Sequence, residues 1–301
     1  MKWINNPDIE KKLVEFEKKI SLTKIQEENV KKSVIYLEET LKSIDYPEIS
    51  KILIYGSYMK GTVIRPHYDV DLLAIINKDN YYSGWFNQFN PPQPKSFFQT
   101  FKKKLVEKYP RSGIKQDKPC IRIQLSNFHY DITPSFENQR LYLIPDENIV
   151  AWKEVDPLKQ LKYLQGCNKV VISVIKILKR WRDQNNLDLS SFEIENKVIE
   201  IFERKQFKSI TNGILLYFKA IQDKKYLSFL GLTLGYAKWG LWGAIAGVYL
   251  GFIGDQFLSD PYSEIFNESL SMYQKALNSF QVDPEKALNW LKIIFGREFP
   301  I

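Results

Sequence analysis

At 301 residues, with 44% hydrophobic and 26% charged residues, the chain can bury a sizeable core as one large domain or two modest lobes, and its ordinary composition excludes a disordered or repetitive polymer. The formal charge of +8 favours partners that carry phosphate, although the lysines are spread along helical segments and read as solvated helix faces rather than one basic patch. Cys120, Cys167, His67 and His129 are too scattered for a zinc site of ordinary ligand spacing, and with a polar N-terminus they point to a reducing, cytoplasmic setting.

Apolar residues at helical spacing (Leu13, Phe16, Ile20, then Val30, Val34, Leu37, Leu41) predict one or two amphipathic helices between Ile9 and Lys42, the second capped by Ser21 or Thr23. The pattern then changes to short apolar runs that predict strands over Lys51 to Tyr55, Val70 to Ile76, Cys120 to Leu125 and His129 to Thr133. A Pro- and aromatic-rich stretch, Tyr81 to Pro94, precedes a helix over Lys95 to Lys108. Beyond Pro157 the pattern is helical, with helices expected near Leu158 to Asn185, Ser191 to Glu203, Ile210 to Ile221 and Pro261 to Phe295. This is an α+β order: a small mixed sheet with helices in residues 1–156, including the N-terminal helix, and a helical C-terminal lobe over residues 157–301.

The stretch that carries chemistry runs from Tyr55 to Leu73. A strand ends at Tyr55 and Gly56-Ser57 turns the chain into a short helix whose first N–H groups are unpaired, a turn suited to phosphate oxygens. Asp69 and Asp71 follow with apolar Val70 between them. In a strand both carboxylates project from one face while Val70 and Leu72 point into the core. Two acids so close repel unless a cation joins them, and magnesium, which prefers oxygen ligands and shares them with triphosphates, answers that need. Asp131, in His129-Tyr130-Asp131-Ile132-Thr133, supplies a third acid from a strand that can lie beside the pair. Three aspartates suffice for two Mg²⁺ ions, with Mn²⁺ as a substitute, in an in-line nucleotidyl transfer. A Gly-Ser pair, an Asp-x-Asp or a single Asp is each commonplace alone, and it is their conjunction on strands that points to a metal-dependent nucleotidyltransferase.

Gly56-Ser57, Lys60-Gly61-Thr62, Asp69-Val70-Asp71-Leu72 and the later Asp131 resemble the signature of nucleotidyltransferases related to oligoadenylate synthase and cyclic GMP-AMP synthase. Within that group the sequence most resembles the bacterial CD-NTases, the cyclic-oligonucleotide synthases of CBASS anti-phage signalling. Ile177-Leu178-Lys179-Arg180-Trp181, Ser190-Ser191-Phe192-Glu193 and the ending Ile294-Phe295-Gly296-Arg297 are similar to further parts of these enzymes. The resemblance implies a two-lobed polymerase-β-like fold and NTP substrates. It further implies a cyclic nucleotide product and regulatory or effector proteins encoded in the same defence operon. It also implies nucleotide contacts at Lys179 and Ser191. On a helical wheel Lys179 sits at the edge of the stripe Val171, Val174, Ile175 and Leu178, where a lysine needs a partner: a triphosphate, a structural ion pair, or water reached by snorkelling. The Ser190-Ser191 pair also suits a helix cap.

Two other functions fit parts of the sequence. A terminal transferase acting on RNA would use the same carboxylates but calls for a continuous basic groove, whereas the lysines are dispersed, so no stable nucleic-acid partner is expected. A non-catalytic, membrane-associated protein would use the apolar segment from Tyr226 to Gly254, where Gly231, Gly235, Gly240, Gly243, Gly247, Gly251 and Gly254 recur at spacings that allow close helix approach. Lys238 divides that segment into uncharged windows of 12 (Tyr226–Ala237) and 16 (Trp239–Gly254) residues, each short of the roughly 20 needed to span a bilayer. A buried helix pair or an oligomer interface is therefore expected there instead of membrane contact.

Overall fold

The computed structural model describes residues 6–44, 47–66, 69–83, 88–117, 119–125, 128–222 and 261–300. The glycine-rich segment 226–254, and with it the expected helix pair, lies outside the described residues. No helix among those described is long and apolar enough to cross a membrane.

The chain forms two compact units, residues 21–167 and residues 1–20 with 168–301. The expected division at Asp156-Pro157, with the N-terminal helix in the first lobe, is drawn differently here. The first helix, α1 (Pro7–Ile20), buries Ile9, Leu13, Phe16 and Ile20 and belongs with the C-terminal helices. Its Phe16 ring lies 5.0 Å from Phe299 and 6.0 Å from Phe295. Glu10 of α1 accepts from the backbone N–H groups of Ile210 and Thr211 at 2.8 and 2.9 Å, and so covers the orphan donors at the start of a C-terminal helix. The amphipathic pattern of α1 was legible, but its partner was not, because the pattern reports which face is buried and not against what.

In the unit of residues 21–167, α2 (Lys24–Lys42) begins at a reciprocal cap. The Thr23 hydroxyl accepts from the Gln26 N–H at 3.2 Å, and the Gln26 side chain accepts from the Thr23 N–H at 2.9 Å. Then come β1 (Ile49–Tyr55), the single turn α3 (Gly56–Met59), β2 (Asp69–Ile76), a 3-10 turn and the two-residue strands β3 (Tyr82–Ser83) and β4 (Gln88–Phe89). They are followed by α4 (Pro94–Lys108), β5 (Ile114–Asp117), β6 (Cys120–Leu125), β7 (Phe128–Asn138), β8 (Leu141–Pro145), β9 (Trp152–Val155) and α5 (Lys159–Gln165). The main sheet runs β1-β2-β7-β6-β5, and β8 and β9 extend it from the far half of β7. Only β2 and β7 pair in parallel; the other described pairs are antiparallel. Strands β5 and β9 escaped the sequence reading because each is short and mostly polar, and β8 because its five residues, Leu141-Tyr142-Leu143-Ile144-Pro145, show no polar–apolar alternation.

One face of this sheet is the core. Val70, Leu72, Ala74 and Ile76 of β2, Tyr130 and Ile132 of β7, and Ile121 and Ile123 of β6 are buried with Val30, Val34, Leu37 and Leu41 of α2 and Phe97, Phe98, Phe101 and Leu105 of α4. Burial of side chains this size stabilises by roughly 1.5–3 kcal/mol each before conformational entropy is counted. Residues of opposite parity, Leu73 and Ile75, reach a smaller cluster with Tyr142. The other face thus stays polar toward the start of β2, where the aspartates sit.

The helix expected from Leu158 to Asn185 is broken where one unit ends and the other resumes. It stops at Gly166 and restarts as α6 (Lys169–Gln184), where the Asn168 side chain accepts from the Val170 N–H at 3.1 Å. Next are α7 (Ser191–Lys205) and α8 (Ile210–Gln222). The expected Pro261–Phe295 helix divides into α9 (Pro261–Ser279) and α10 (Pro284–Phe295), with Asp283 capping the second and accepting from the Lys286 N–H at 3.0 Å.

Candidate active site

The parallel pairing of β2 with β7 sets the site. Its register puts Asp71 opposite Asp131 and Asp69 opposite His129, and register partners project from the same face of the sheet. Antiparallel pairing of β6 with β7 then places Arg122 opposite Asp131, and pairing of β1 with β2 places Tyr55 opposite Asp71. Three acids, an arginine and a tyrosine thereby share one end of one face.

Arg122 organises the acids. Its Nε and one terminal nitrogen donate to the two carboxylate oxygens of Asp131 at 2.8 and 2.6 Å, and the same terminal nitrogen donates to Asp69 at 3.0 Å. The other terminal nitrogen lies 3.3 Å from an oxygen of Asp117 on β5. His129 Nδ1 is 3.6 Å from Asp69. Asp131 is buried, whereas Asp69 and Arg122 are part-exposed.

These environments shift proton affinities in consistent directions. Burial raises the Asp69 carboxyl above its ordinary value and the charge of Asp131 adds to the rise, while Arg122 and His129 oppose it. Hydrogen bonding to Asp131 raises the Arg122 guanidinium further. Burial, reinforced by Asp131, holds the Cys120 thiol protonated, and burial with Asp71 beside it does the same for the Tyr55 phenol. Tyr55 is a neutral wall to the site.

Gly56 turns the chain from β1 into α3 with φ at +68°, a conformation that favours glycine. A Cβ built on it would lie 1.8 Å from an Asp71 oxygen, so the carboxylate of Asp71 rests directly against the turn that carries Ser57. The turn is closed behind by the Thr62 N–H donating to the Ser57 carbonyl at 2.9 Å, and Lys60 donates to the Gln160 side chain at 2.8 Å.

The expected neighbouring strand is β7, which brings Asp131 beside Asp71. Asp69 and Asp131 meet through Arg122, and among the described residues no three His, Cys, Asp or Glu side chains stand at metal-ligand spacing in this arrangement. The donor chemistry nonetheless fits a hard divalent cation: carboxylate oxygens on one face, already gathered around a positive group. Arg122 was missed from the sequence. Its signal was a charge at the middle of the alternating run Cys120-Ile121-Arg122-Ile123-Gln124, but only the β6–β7 register reveals that it faces Asp131.

Lys179 and Ser191 lie in the other unit. Lys179 donates to Glu195 at 2.6 Å, with the two side chains only 3% and 1% exposed. Of the alternatives left open by the helical wheel, the structure shows an ion pair. Ser190, not Ser191, caps α7, accepting from the Glu193 N–H at 3.1 Å. The Ser191 hydroxyl accepts from Arg182 at 3.1 Å. Among the aromatic residues between Tyr81 and Phe89, Tyr81 and Phe89 pack edge-on to Phe136 at 5.3 and 5.1 Å, so both serve the core beneath β7.

The profile of the Second Messenger Oligonucleotide or Dinucleotide Synthetase domain, SMODS, matches residues 8–168, which hold every member of the carboxylate–arginine cluster. The chain belongs to this family. It is a bacterial CD-NTase and hence a nucleotidyltransferase of the cyclic nucleotide synthase type. A "Probable cyclic nucleotide synthase" of Bacillus cereus (strain VD146) is 22% identical over 285 residues, covering 83% of this chain and 82% of that protein. Of solved structures, the Escherichia coli MS115-1 CdnC:HORMA-deltaN complex aligns with a TM-score of 0.68 at 14% identity, over 97% of this chain and 98% of that one. The Bradyrhizobium diazoefficiens CD-NTase CdnG in complex with GTP aligns with a TM-score of 0.64 at 12% identity, over 95% of this chain and 94% of that one. At these identities the structures establish the polymerase-β-like fold of this CD-NTase and nothing finer.

Proposed function

We propose that this CD-NTase joins nucleoside triphosphates into a cyclic oligonucleotide by magnesium-dependent nucleotidyl transfer, releasing pyrophosphate, as a second messenger in anti-phage defence. The observation that supports this best is the parallel β2–β7 register, which delivers Asp131 beside Asp71 on the face that already carries Asp69. Asp69, Asp71 and Asp131 would hold the ions. Bound there, Mg²⁺ or Mn²⁺ would supply a Lewis acid that lowers the pKa of the acceptor hydroxyl and offsets the charge of the departing pyrophosphate.

The chain's own residues account for the rest. Gly56 and Ser57 would present backbone N–H groups to the β- and γ-phosphates at a turn whose glycine leaves room for the Asp71 carboxylate beside it. Asp131, the most enclosed of the three acids, draws the proton from the acceptor hydroxyl as its oxygen attacks the α-phosphorus and the bond to pyrophosphate breaks. Ser191 and Lys179 remain candidate phosphate contacts, Lys179 with its charge already partnered by Glu195. The complex of the relative CdnC with HORMA-deltaN supports a regulatory protein as a partner, the dispersed lysines support the absence of a stable nucleic-acid partner, and the two separated cysteines support a cytoplasmic setting.

The test is incubation of the purified chain with four labelled NTPs and Mg²⁺ or Mn²⁺, followed by phosphatase digestion, chromatography and mass spectrometry, beside an Asp69→Ala/Asp71→Ala control. A phosphatase-resistant product that falls by about a thousandfold or more in the control is expected. Extension of added RNA with no resistant product would replace this reading with a terminal transferase.

A further inference from the structure

The guanidinium of Arg122 takes both oxygens of Asp131 and one oxygen of Asp69, the same lone pairs that a divalent cation would need. It also spans two carboxylates whose mutual repulsion would otherwise push them apart. A single charged group therefore takes the electrostatic place of an ion, with bidentate geometry that an ammonium could not copy. Its remaining nitrogen points the other way, toward Asp117 at 3.3 Å, and that carboxylate is more than half exposed.

We propose that Arg122 is a built-in cation stand-in: it clamps Asp131 and Asp69 together when no metal is bound and must release them, keeping Asp117 as its outer anchor, before a divalent ion can enter. The inference rests on the reading of Asp69 and Asp131 as metal ligands. Two positive groups cannot share those oxygens without repulsion, so the clamp weakens metal binding in the absence of nucleotide. The triphosphate brings the negative charge that tips the exchange. Metal thus enters with the nucleotide, and the carboxylates stay assembled in the meantime. Arg122 is a positioning residue on this account, since it acts through the aspartates.

The experiment is a Mn²⁺ titration of the full chain without and with ATP, read from the EPR signal of free Mn²⁺ and corrected by a protein-free titration of ATP, for wild type, Arg122→Lys and Arg122→Gln, with circular dichroism to confirm folding. Lysine keeps the charge but cannot bridge both acids in the same fork. Both variants are expected to bind Mn²⁺ about tenfold more tightly than wild type, and to lose most of the gain in affinity that ATP confers on wild type. Should Arg122→Gln fail to fold, the lysine variant decides. Wild-type affinity in Arg122→Lys overturns the clamp, because net charge alone then governs binding, and weaker binding in both variants overturns it equally. If wild type and both variants take up no Mn²⁺ even with nucleotide, the metal-ligand reading of the aspartates falls first and the clamp falls with it.

Discussion

At Arg122 one guanidinium is shared among Asp131, Asp69 and Asp117, and its side chain is 32% exposed; at Lys179 one ammonium meets Glu195, and the pair is 3% and 1% exposed. The first arrangement has more negative charge than the arginine can match and an open side from which another cation can arrive. The second is closed and balanced. Excess carboxylate held at a part-exposed sheet end is poised for exchange, because replacing one cation with another costs little desolvation. A balanced pair under a helix packing is held in place by the very desolvation that would accompany separating it. Titratable side chains alone do not distinguish these cases. Stoichiometry and exposure do.

The largest effect that would sharpen this contrast is at the closed pair. Lys179→Met leaves Glu195 buried without its ammonium and is expected to lower the unfolding free energy by about 3–5 kcal/mol, measured by urea denaturation followed by circular dichroism. The double variant Lys179→Met/Glu195→Gln should recover a large part of that loss. An unchanged denaturation midpoint together with a raised KM for NTP would break the comparison and return Lys179 to the phosphate. Gly56→Ala should have a smaller effect on folding and a larger one on catalysis. Its Cβ would meet Asp71 at 1.8 Å from a backbone held at φ +68°, so the carboxylate must move. A loss of about 1–2 kcal/mol in stability is expected with about a hundredfold lower yield of phosphatase-resistant product. Activity within a few-fold of wild type would show that Asp71 needs no fixed seat.

What the sequence disclosed and what it hid follow the same division. Alternation along Asp69-Val70-Asp71-Leu72 is a local property of a strand, so the shared face of the two acids was readable, as was the strand carrying Asp131. Ser21 and Thr23 were both legible as caps for α2, and the structure uses Thr23, with Gln26 completing a capping box that lies within four residues. Arg122 was hidden because its role depends on which strand lies beside β6 and in what register, and a shift of one residue would turn it to the core. Glu195 as the partner of Lys179 was hidden for the corresponding reason, the packing of α6 on α7. The break at Asn168 was overlooked because Val170, Val171 and Val174 continue an apolar pattern that masks a cap in its midst.

A third cluster tests the rule from the opposite side. On α7 the carboxylate of Glu200 is shared by two cations, Lys197 at 2.6 Å and Arg204 at 2.8 Å, and the Lys197 side chain is only 7% exposed. Burial pulls the Lys197 ammonium down to about 8, with the Glu200 hydrogen bond opposing. In the unfolded chain the group has its ordinary value of 10.5, so between those limits the unfolded state holds a proton that the folded state has released. Stability then rises with pH through that window, and below pH 8 the cost of the buried charge is present in full. Relative to Lys197→Met, wild type should gain on the order of 2 kcal/mol between pH 8 and 10.5, read from paired urea titrations, with a flat difference below pH 8. At pH 7 the methionine variant should be as stable as wild type or more so, because Glu200 keeps Arg204, whereas methionine at Lys179 removes the ammonium that faces buried Glu195 at 2.6 Å. Equal losses at the two lysines would mean that burial alone governs these pairs, and that the sharing of charge at Arg122 carries no special readiness for exchange.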